Sequence, residues 1–148
     1  MKPDVTLVLQ DLSVRLSKEI ASEIQPAYHA GTVAWVGMIV GVLADEWDRS
    51  AHRLVEENRA LRALFDEALA VVRDGALGER LHRLSHAADE DLHLSALAAA
   101  NDALRSALID LHVEVERRTD GPARRIEGRI WRELVASTER RRTSLAPF

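Results

Sequence analysis

Residues 51–72, AHRLVEENRALRALFDEALAVV, predict the fold because a related segment follows 43 residues later in the chain. In each segment the matching apolar positions are separated by alternating steps of three and four residues, so they form one stripe along an α-helix. We therefore predict two helices whose coiled-coil-like seams pack together. The matched positions are Leu54, Asn58, Leu61, Arg62, Phe65, Ala68 and Val72 in the first segment and Leu97, Asn101, Leu104, Arg105, Leu108, Leu111 and Val115 in the second.

Each predicted seam contains one asparagine among its apolar residues. A buried amide needs hydrogen-bond partners, so Asn58 and Asn101 are expected near each other or near a second copy, where their pairing would fix the register of the helices. The alternative is that each amide reaches a neighbouring carbonyl group or a water molecule. Arg62 has Asp66 one turn on as its predicted partner, whereas Arg105 has no acid at that position and needs a partner elsewhere.

The composition indicates one all-α domain. Of its 148 residues 47% are hydrophobic and 30% are charged, and aromatic residues are few. We predict an antiparallel bundle of four to five helices with long, coiled-coil-like central helices over 1–148, with 143–148 as a loose tail. Turns are predicted at Pro26, at Asp74, Gly75 and Gly78, and at Gly121. Whether 79–118 forms one helix or two is left open.

Cysteine is absent from the sequence, which excludes disulfides, thiolate metal ligands and a cysteine nucleophile. The first residues, MKPDVTLVLQDL, place an acid within the apolar stretch and therefore lack the layout of a signal peptide. Both features agree with a cytoplasmic protein, which is the predicted location.

Charge is distributed unevenly along the chain. The net charge is −4, yet from Arg117 onward there are nine arginines and four acidic residues. A basic last helix can dock on the acidic remainder of its own chain or of a second copy. No DNA-binding motif accompanies it, so no nucleic-acid partner is expected. The long helices and the seam asparagines predict a homodimer, with a different protein partner as the alternative.

The segment 27–44, AYHAGTVAWVGMIVGVLA, is uncharged and long enough to be considered a membrane span. Its polar residues, its glycines and the acidic residues directly after it favour a buried core helix, and no membrane span is predicted. Gly37 and Gly41 form a GxxxG spacing, which predicts the close approach of another helix. A small-ligand pocket is the alternative use of this segment. Its residues would be His29, Trp35, Met38, His93 and His112.

The histidines form a second pattern, made of His29, His52-x3-Glu56, His82-x3-His86 and His112-x3-Glu116 in chain order. This order resembles the ligand pattern of hemerythrin-like domains, and the resemblance implies a four-helix bundle that holds a carboxylate-bridged di-iron centre. Glu79-x2-His82 also has the Glu-x-x-His spacing of ferritin-like di-iron bundles.

Helical geometry weighs against such a centre. With Leu54 at the middle of the core stripe, His52 and Glu56 fall about 160° away on a polar face, whereas bundle ligands must converge in the interior. A site for iron, manganese or zinc is therefore kept as an alternative to a protein without a cofactor. Its residues would be Glu79, His82, His86, His112 and Glu116.

Catalytic signatures are weak, because the chain has no glycine-rich phosphate loop after a strand and no serine–histidine pair with a placed orienting group. The favoured hypothesis is a non-enzymatic helical scaffold or accessory protein that acts through self-association or partner binding. The alternative is a bundle with a small-molecule or hemerythrin/ferritin-like di-metal site. In a scaffold the buried polar groups satisfy one another, whereas a binding site leaves them unpaired around a pocket.

Overall fold

The computed structural model describes residues 3–142, and it confirms the predicted all-α fold. The structure is 82% helical, with five helices and no strand in the described part, and the predicted loose tail at 143–148 lies outside it. Helix α1 covers residues 5–23, with α-helical turns at Val5–Val14 and Ala21–Glu23 on either side of a π-helical segment at Arg15–Ile20. The other helices are α2, Ala27–Ala68; α3, Gly75–Ser85; α4, Leu94–Glu116; and α5, Gly121–Arg140.

Local sequence signals set several helix ends. Asp4 caps α1 by accepting a hydrogen bond from a first-turn amide at 3.2 Å. Gly75 opens α3 with a φ of 83°, a left-handed conformation that favours glycine. Asp120 caps α5 through an amide at 2.9 Å, and Pro122 occupies the first turn, where its missing N–H costs nothing. The chain between α3 and α4 is not helical, so 79–118 is divided between two helices.

Contacts within the chain divide it into two compact units. The first contains Met1–Ser50 and Arg142–Phe148, of which the structure describes 3–50 and 142, and the second is Ala51–Arg141. Helix α2 runs for 42 residues and contributes to both. A single domain over 1–148 stays a prediction.

In the first unit, α1 lies against α2 at Gly37. Ser13 Oγ donates a hydrogen bond to the Gly37 carbonyl oxygen at 2.7 Å. A Cβ atom at Gly37 would lie 2.7 Å from the Ser17 backbone nitrogen and 2.9 Å from the Ser13 carbonyl oxygen, so this approach requires glycine. Gly41 is half-buried one turn further on and lines the groove between the same two helices.

The second unit contains a continuous hydrophobic core. All apolar residues of the two predicted seams are buried there. Side chains from α3 and α5 pack against them and complete the core. The additional core residues are Leu64, Leu81, Ala107, Ala123, Ile126 and Ile130.

The two seams run in the same direction within the second unit. Asn101 of α4 contacts Asn58 of α2 toward the beginning of this pair of helices. Arg118, just beyond the end of α4, donates a hydrogen bond at 2.7 Å to the carbonyl oxygen of Val71, just beyond the end of α2. The contacts therefore follow the same chain order on both helices.

The basic helix α5 docks on acidic residues of α2 and runs opposite to it. Arg129 contacts Glu67 at 3.1 Å, and Arg141 contacts Glu57 at 2.9 Å. The higher residue number on one helix thus meets the lower number on the other. Part of the positive charge at the end of the chain is therefore paired with acidic residues inside the second unit.

The segment 27–44 is largely exposed within the chain, contrary to the prediction of a buried core helix. Only its residues Gly37 and Ala44 are buried. Helix α2 contains a window long and apolar enough to cross a membrane, and 11% of that window is buried. The burial prediction is wrong for the single chain because α1 covers only the small-residue side of α2. The absence of a membrane span stays a prediction.

Candidate functional site

A cluster of buried polar side chains lies between the helices of the second unit; this polar cluster is centred on the two seam asparagines. Asn101 Nδ2 donates a hydrogen bond to Asn58 Oδ1 at 3.0 Å, and both side chains are buried. Asn58 Nδ2 donates to Asp89 Oδ1 at 3.2 Å and to the Leu97 carbonyl oxygen at 3.4 Å. The two amides therefore bind each other, which is one of the arrangements expected for them.

Asp89, in the segment between α3 and α4, binds Arg62 of α2. Arg62 donates from Nη2 to Oδ1 at 2.6 Å and from Nη1 to Oδ2 at 2.8 Å, and both side chains are mostly buried. These bonds hold the pKa of Asp89 below its ordinary value, against the opposing effect of burial. The prediction that Arg62 pairs with Asp66 is wrong, because the connecting segment brings a carboxylate into bidentate contact.

Glu57 has only 1% of its side chain exposed and is held by two arginines. Arg105 Nη1 donates to Oε1 at 2.6 Å, and Arg141 Nη2 donates to Oε2 at 2.9 Å. Burial by itself raises the pKa of Glu57, but the hydrogen bonds from Arg141 and Arg105 outweigh it and the pKa lies below its ordinary value. Glu57 is thus the partner that Arg105 was expected to find away from its own helix.

The carboxylates and amides of the polar cluster are engaged by one another and by arginines. A catalytic acid or base must keep a proton or a lone pair within reach of a substrate. The buried groups here already use theirs to connect α2, α4, α5 and the segment before α4. This pairing favours a structural role for the polar cluster.

Two residues of the predicted metal site, Glu79 and His82, lie on α3, and a third, His86, directly follows its last residue. The rings of His82 and His86 meet edge to face with their centroids 4.4 Å apart. His86 Nδ1 is 2.9 Å from the His82 carbonyl oxygen. These histidines and Glu79, with Asp66 of α2, line an open surface cleft of about 560 Å³.

The other two residues of that predicted site, His112 and Glu116, lie on α4 and meet a residue that was not predicted. His112 Nε2 is 3.3 Å from Glu116 Oε1. Glu127 of α5 joins them, so that one potential ligand atom from each residue lies within 4.8 Å of the other two. In the described part of the chain, His82 and His86 do not belong to this group. No sequence spacing signals Glu127, because its proximity depends on how the turn between α4 and α5 is folded.

The residues of the predicted ligand pocket are divided between the two units. In the first unit, His29 and Trp35 are exposed, and Met38 lines the groove of about 370 Å³ between α1 and α2. In the second unit, His112 belongs to the group on α4 and α5, while His93 is exposed at the start of α4. The hydrogen bond from the His93 amide lowers the pKa of its neighbour, the exposed Asp91.

Large apolar side chains of α2 are exposed in the first unit. Trp35 and Ile39 project from the side of α2 opposite Gly37, and the exposed Leu43 and Trp47 continue this stripe around the helix over the next turns. The exposed fraction is 58% for Trp35 and 62% for Trp47. We call these four side chains of α2 the apolar face. Helix α1 also exposes large apolar side chains, namely Val5, Val8, Leu12 and Ile20.

The hemerythrin-like order of the histidines does not lead to a known family. Comparisons of the chain with protein-family models, with curated proteins and with solved structures find no match.

Proposed function

We propose that this protein is a non-enzymatic helical scaffold that forms a homodimer through the apolar face of its first unit. The exposure of the apolar face carries this proposal, because contiguous exposed apolar surface on a folded protein marks an interaction site. Burial of each such side chain would contribute about 1.5–3 kcal/mol to association before the entropic costs of binding.

A second copy of the chain fits the apolar face better than a lipid bilayer does. Helix α1 packs closely on α2 at Gly37, so it would have to follow α2 into the hydrocarbon. Yet α1 carries an ion pair between Asp11 and Arg15 at 2.9 Å, and Lys18 and Glu19 are exposed further along it. Each such charge at the centre of a spanning helix costs about 2.5–3.5 kcal/mol.

Two-fold symmetry would complete the packing of the first unit. Helix α1 leaves Val8 and Leu12 exposed beside an α2 that exposes its own stripe. Two copies of this helix pair, placed face to face, would form a four-helix layer in which both sets of apolar side chains have partners. The pairing of Asn58 with Asn101 within one chain supports the scaffold in a second way, since these amides need no ligand.

The proposal is tested by placing a charge in the centre of the apolar face. Ile39→Glu should convert a dimer to a monomer in size-exclusion chromatography with light scattering at micromolar concentration, because a buried carboxylate without a partner is costly. His52→Glu adds the same charge at an exposed position of α2 and should leave the dimer intact. Far-ultraviolet circular dichroism of both variants checks that the helices are retained.

Two results would contradict this function. A wild-type chain that is monomeric in the same experiment would remove the dimer. A monomeric wild type that sediments with phosphatidylcholine vesicles, and no longer does so after Ile39→Glu, would instead assign the apolar face to a membrane.

A further inference from the structure

The geometry points to a binding site for one divalent transition-metal cation, formed by His112 and Glu116 of α4 and Glu127 of α5. It lies in the second unit and does not depend on dimerisation through the first. The three side chains provide one imidazole nitrogen and two carboxylate oxygens, all within 4.8 Å of one another. His112 Nε2 and Glu116 Oε1 are already 3.3 Å apart, close to the edge of about 3.4 Å expected of a tetrahedral site with metal–ligand bonds near 2.1 Å.

The second observation is the state of the imidazole. His112 Nε2 is buried and has no hydrogen-bond partner, although Glu116 Oε1 is nearby. A buried ring nitrogen beside carboxylate oxygens, without a hydrogen bond to them, is in a position where a cation would satisfy all three groups. The arrangement therefore differs from an ordinary cluster of surface acids.

The ring of His112 also contacts an aromatic side chain. Trp131 of α5 packs edge to face against it, with centroids 5.3 Å apart and an interplanar angle of 86°. A ligand whose orientation is fixed before binding loses less entropy when it coordinates. Since Glu127 and Trp131 lie one turn apart on α5, the same helix supplies a ligand and the support for another.

The ligand set indicates the class of metal. One imidazole and two carboxylates suit zinc, manganese, iron(II) or cobalt(II), whereas magnesium and calcium prefer oxygen ligands alone. Three protein ligands leave at least one coordination position for water or for an added ligand.

The test is a titration of tag-free wild-type protein with zinc by calorimetry, with cobalt absorption as a spectroscopic check. We expect one zinc per chain with micromolar or tighter affinity. Glu127→Gln and His112→Gln should each weaken binding at least about tenfold, since a lost ligand costs no less than the 10–100-fold typical of an outer-shell partner. The matched controls are Glu79→Gln and His82→Gln, exposed on α3, which should change the affinity less than twofold.

Glu127→Gln keeps the test decisive if His112→Gln disturbs the packing against Trp131, because its amide replaces the carboxylate without a change in size. The site is overturned if zinc does not bind, if Glu127→Gln binds zinc as tightly as wild type, or if binding is lost in His82→Gln instead. The mass of the particle in Glu127→Gln should match wild type, which separates this site from the proposed dimer.

Discussion

Each of the two buried asparagines in the second unit is satisfied mainly by other polar residues of the same unit. Asn101 donates to Asn58, and Asn58 donates to Asp89, which is also held by Arg62. A buried polar atom that loses its partner costs about 1–3 kcal/mol, which is comparable with a large share of a domain's net stability. The polar cluster therefore discriminates strongly against any other register of α2 and α4.

Replacing Asn101 by leucine tests this argument. Asn101→Leu leaves Asn58 Oδ1 buried without its donor, so we expect the free energy of unfolding to fall by about 1–3 kcal/mol in urea denaturation. The neighbouring Asp102 is exposed, and Asp102→Asn should change the free energy of unfolding by less than about 0.5 kcal/mol. Equal stabilities for the Asn101→Leu variant and wild type would contradict the role given to this hydrogen bond.

The lowered pKa values of Glu57 and Asp89 predict a loss of stability in acid. A carboxyl group whose pKa is lowered by folding stabilises the folded state at any pH above its ordinary pKa, which is 4.5 for Glu57 and 3.8 for Asp89. This stabilisation is lost as the pH falls through the pKa of the folded state. The contribution of these two carboxyl groups to the free energy of unfolding should therefore be nearly constant near neutral pH. It should decrease once the pH is lowered past about 4.5.

The variant Asp89→Asn isolates one part of this effect. It should be about 1–3 kcal/mol less stable at pH 7, because Arg62 loses its ionised partner, and its stability should fall less steeply in acid. Urea denaturation from pH 7 down to pH 3 measures both. The interpretation fails if the acid dependence of the variant is as steep as that of wild type.

Part of the polar cluster is predictable from the sequence. Asn58 and Asn101 are recognisable because each interrupts an apolar stripe, and their contact follows from packing the two stripes together. Glu57 and Asp89 were not recognisable, since the chain has 24 acidic residues and the choice of partner depends on tertiary placement. The same reason hides Glu127, which only the turn between α4 and α5 brings to His112.

At the scale of the elements, glycine and proline correctly predicted where helices end, but the sequence did not show why each glycine is needed. The predicted break at Gly75 is the start of α3. Gly78, expected in the same turn, lies inside that helix, and a Cβ atom there would overlap the Arg73 carbonyl oxygen. Its role is therefore to let the preceding turn approach α3 closely. The spacing of apolar residues also predicted a helix at α2. It does not show whether the surface that covers an apolar stripe belongs to the same chain.

Two glycines of α2 should respond to alanine in opposite directions. A Cβ atom at Gly31 has nothing within 4 Å, so Gly31→Ala should raise the free energy of unfolding by about 0.4–1 kcal/mol through helix propensity and unfolded-state entropy. Gly37→Ala would force the backbone of α1 away from α2 and should lower it by about 1–3 kcal/mol. Chemical denaturation of both variants gives the comparison, and a stabilised Gly37→Ala would show that α1 does not rest on α2 as described.

At the scale of the whole molecule, the uneven charge has a partial structural explanation. Arg118 pairs with Glu114, Arg129 with Glu67, and Arg141 lies against the buried Glu57. Part of the basic end is thus paired inside the second unit. The large apolar side chains of the apolar face, by contrast, stay exposed in the first unit.

The most direct test of the homodimer is the mass of the wild-type chain in solution. Sedimentation equilibrium on tag-free protein at micromolar concentration, in the absence of lipid and detergent, measures it without reference to shape. The apolar face predicts a particle of twice the 16.5 kDa chain mass. A mass of one chain across the concentration range would contradict the proposed scaffold, because the exposed stripe of α2 would then have no second copy to cover it.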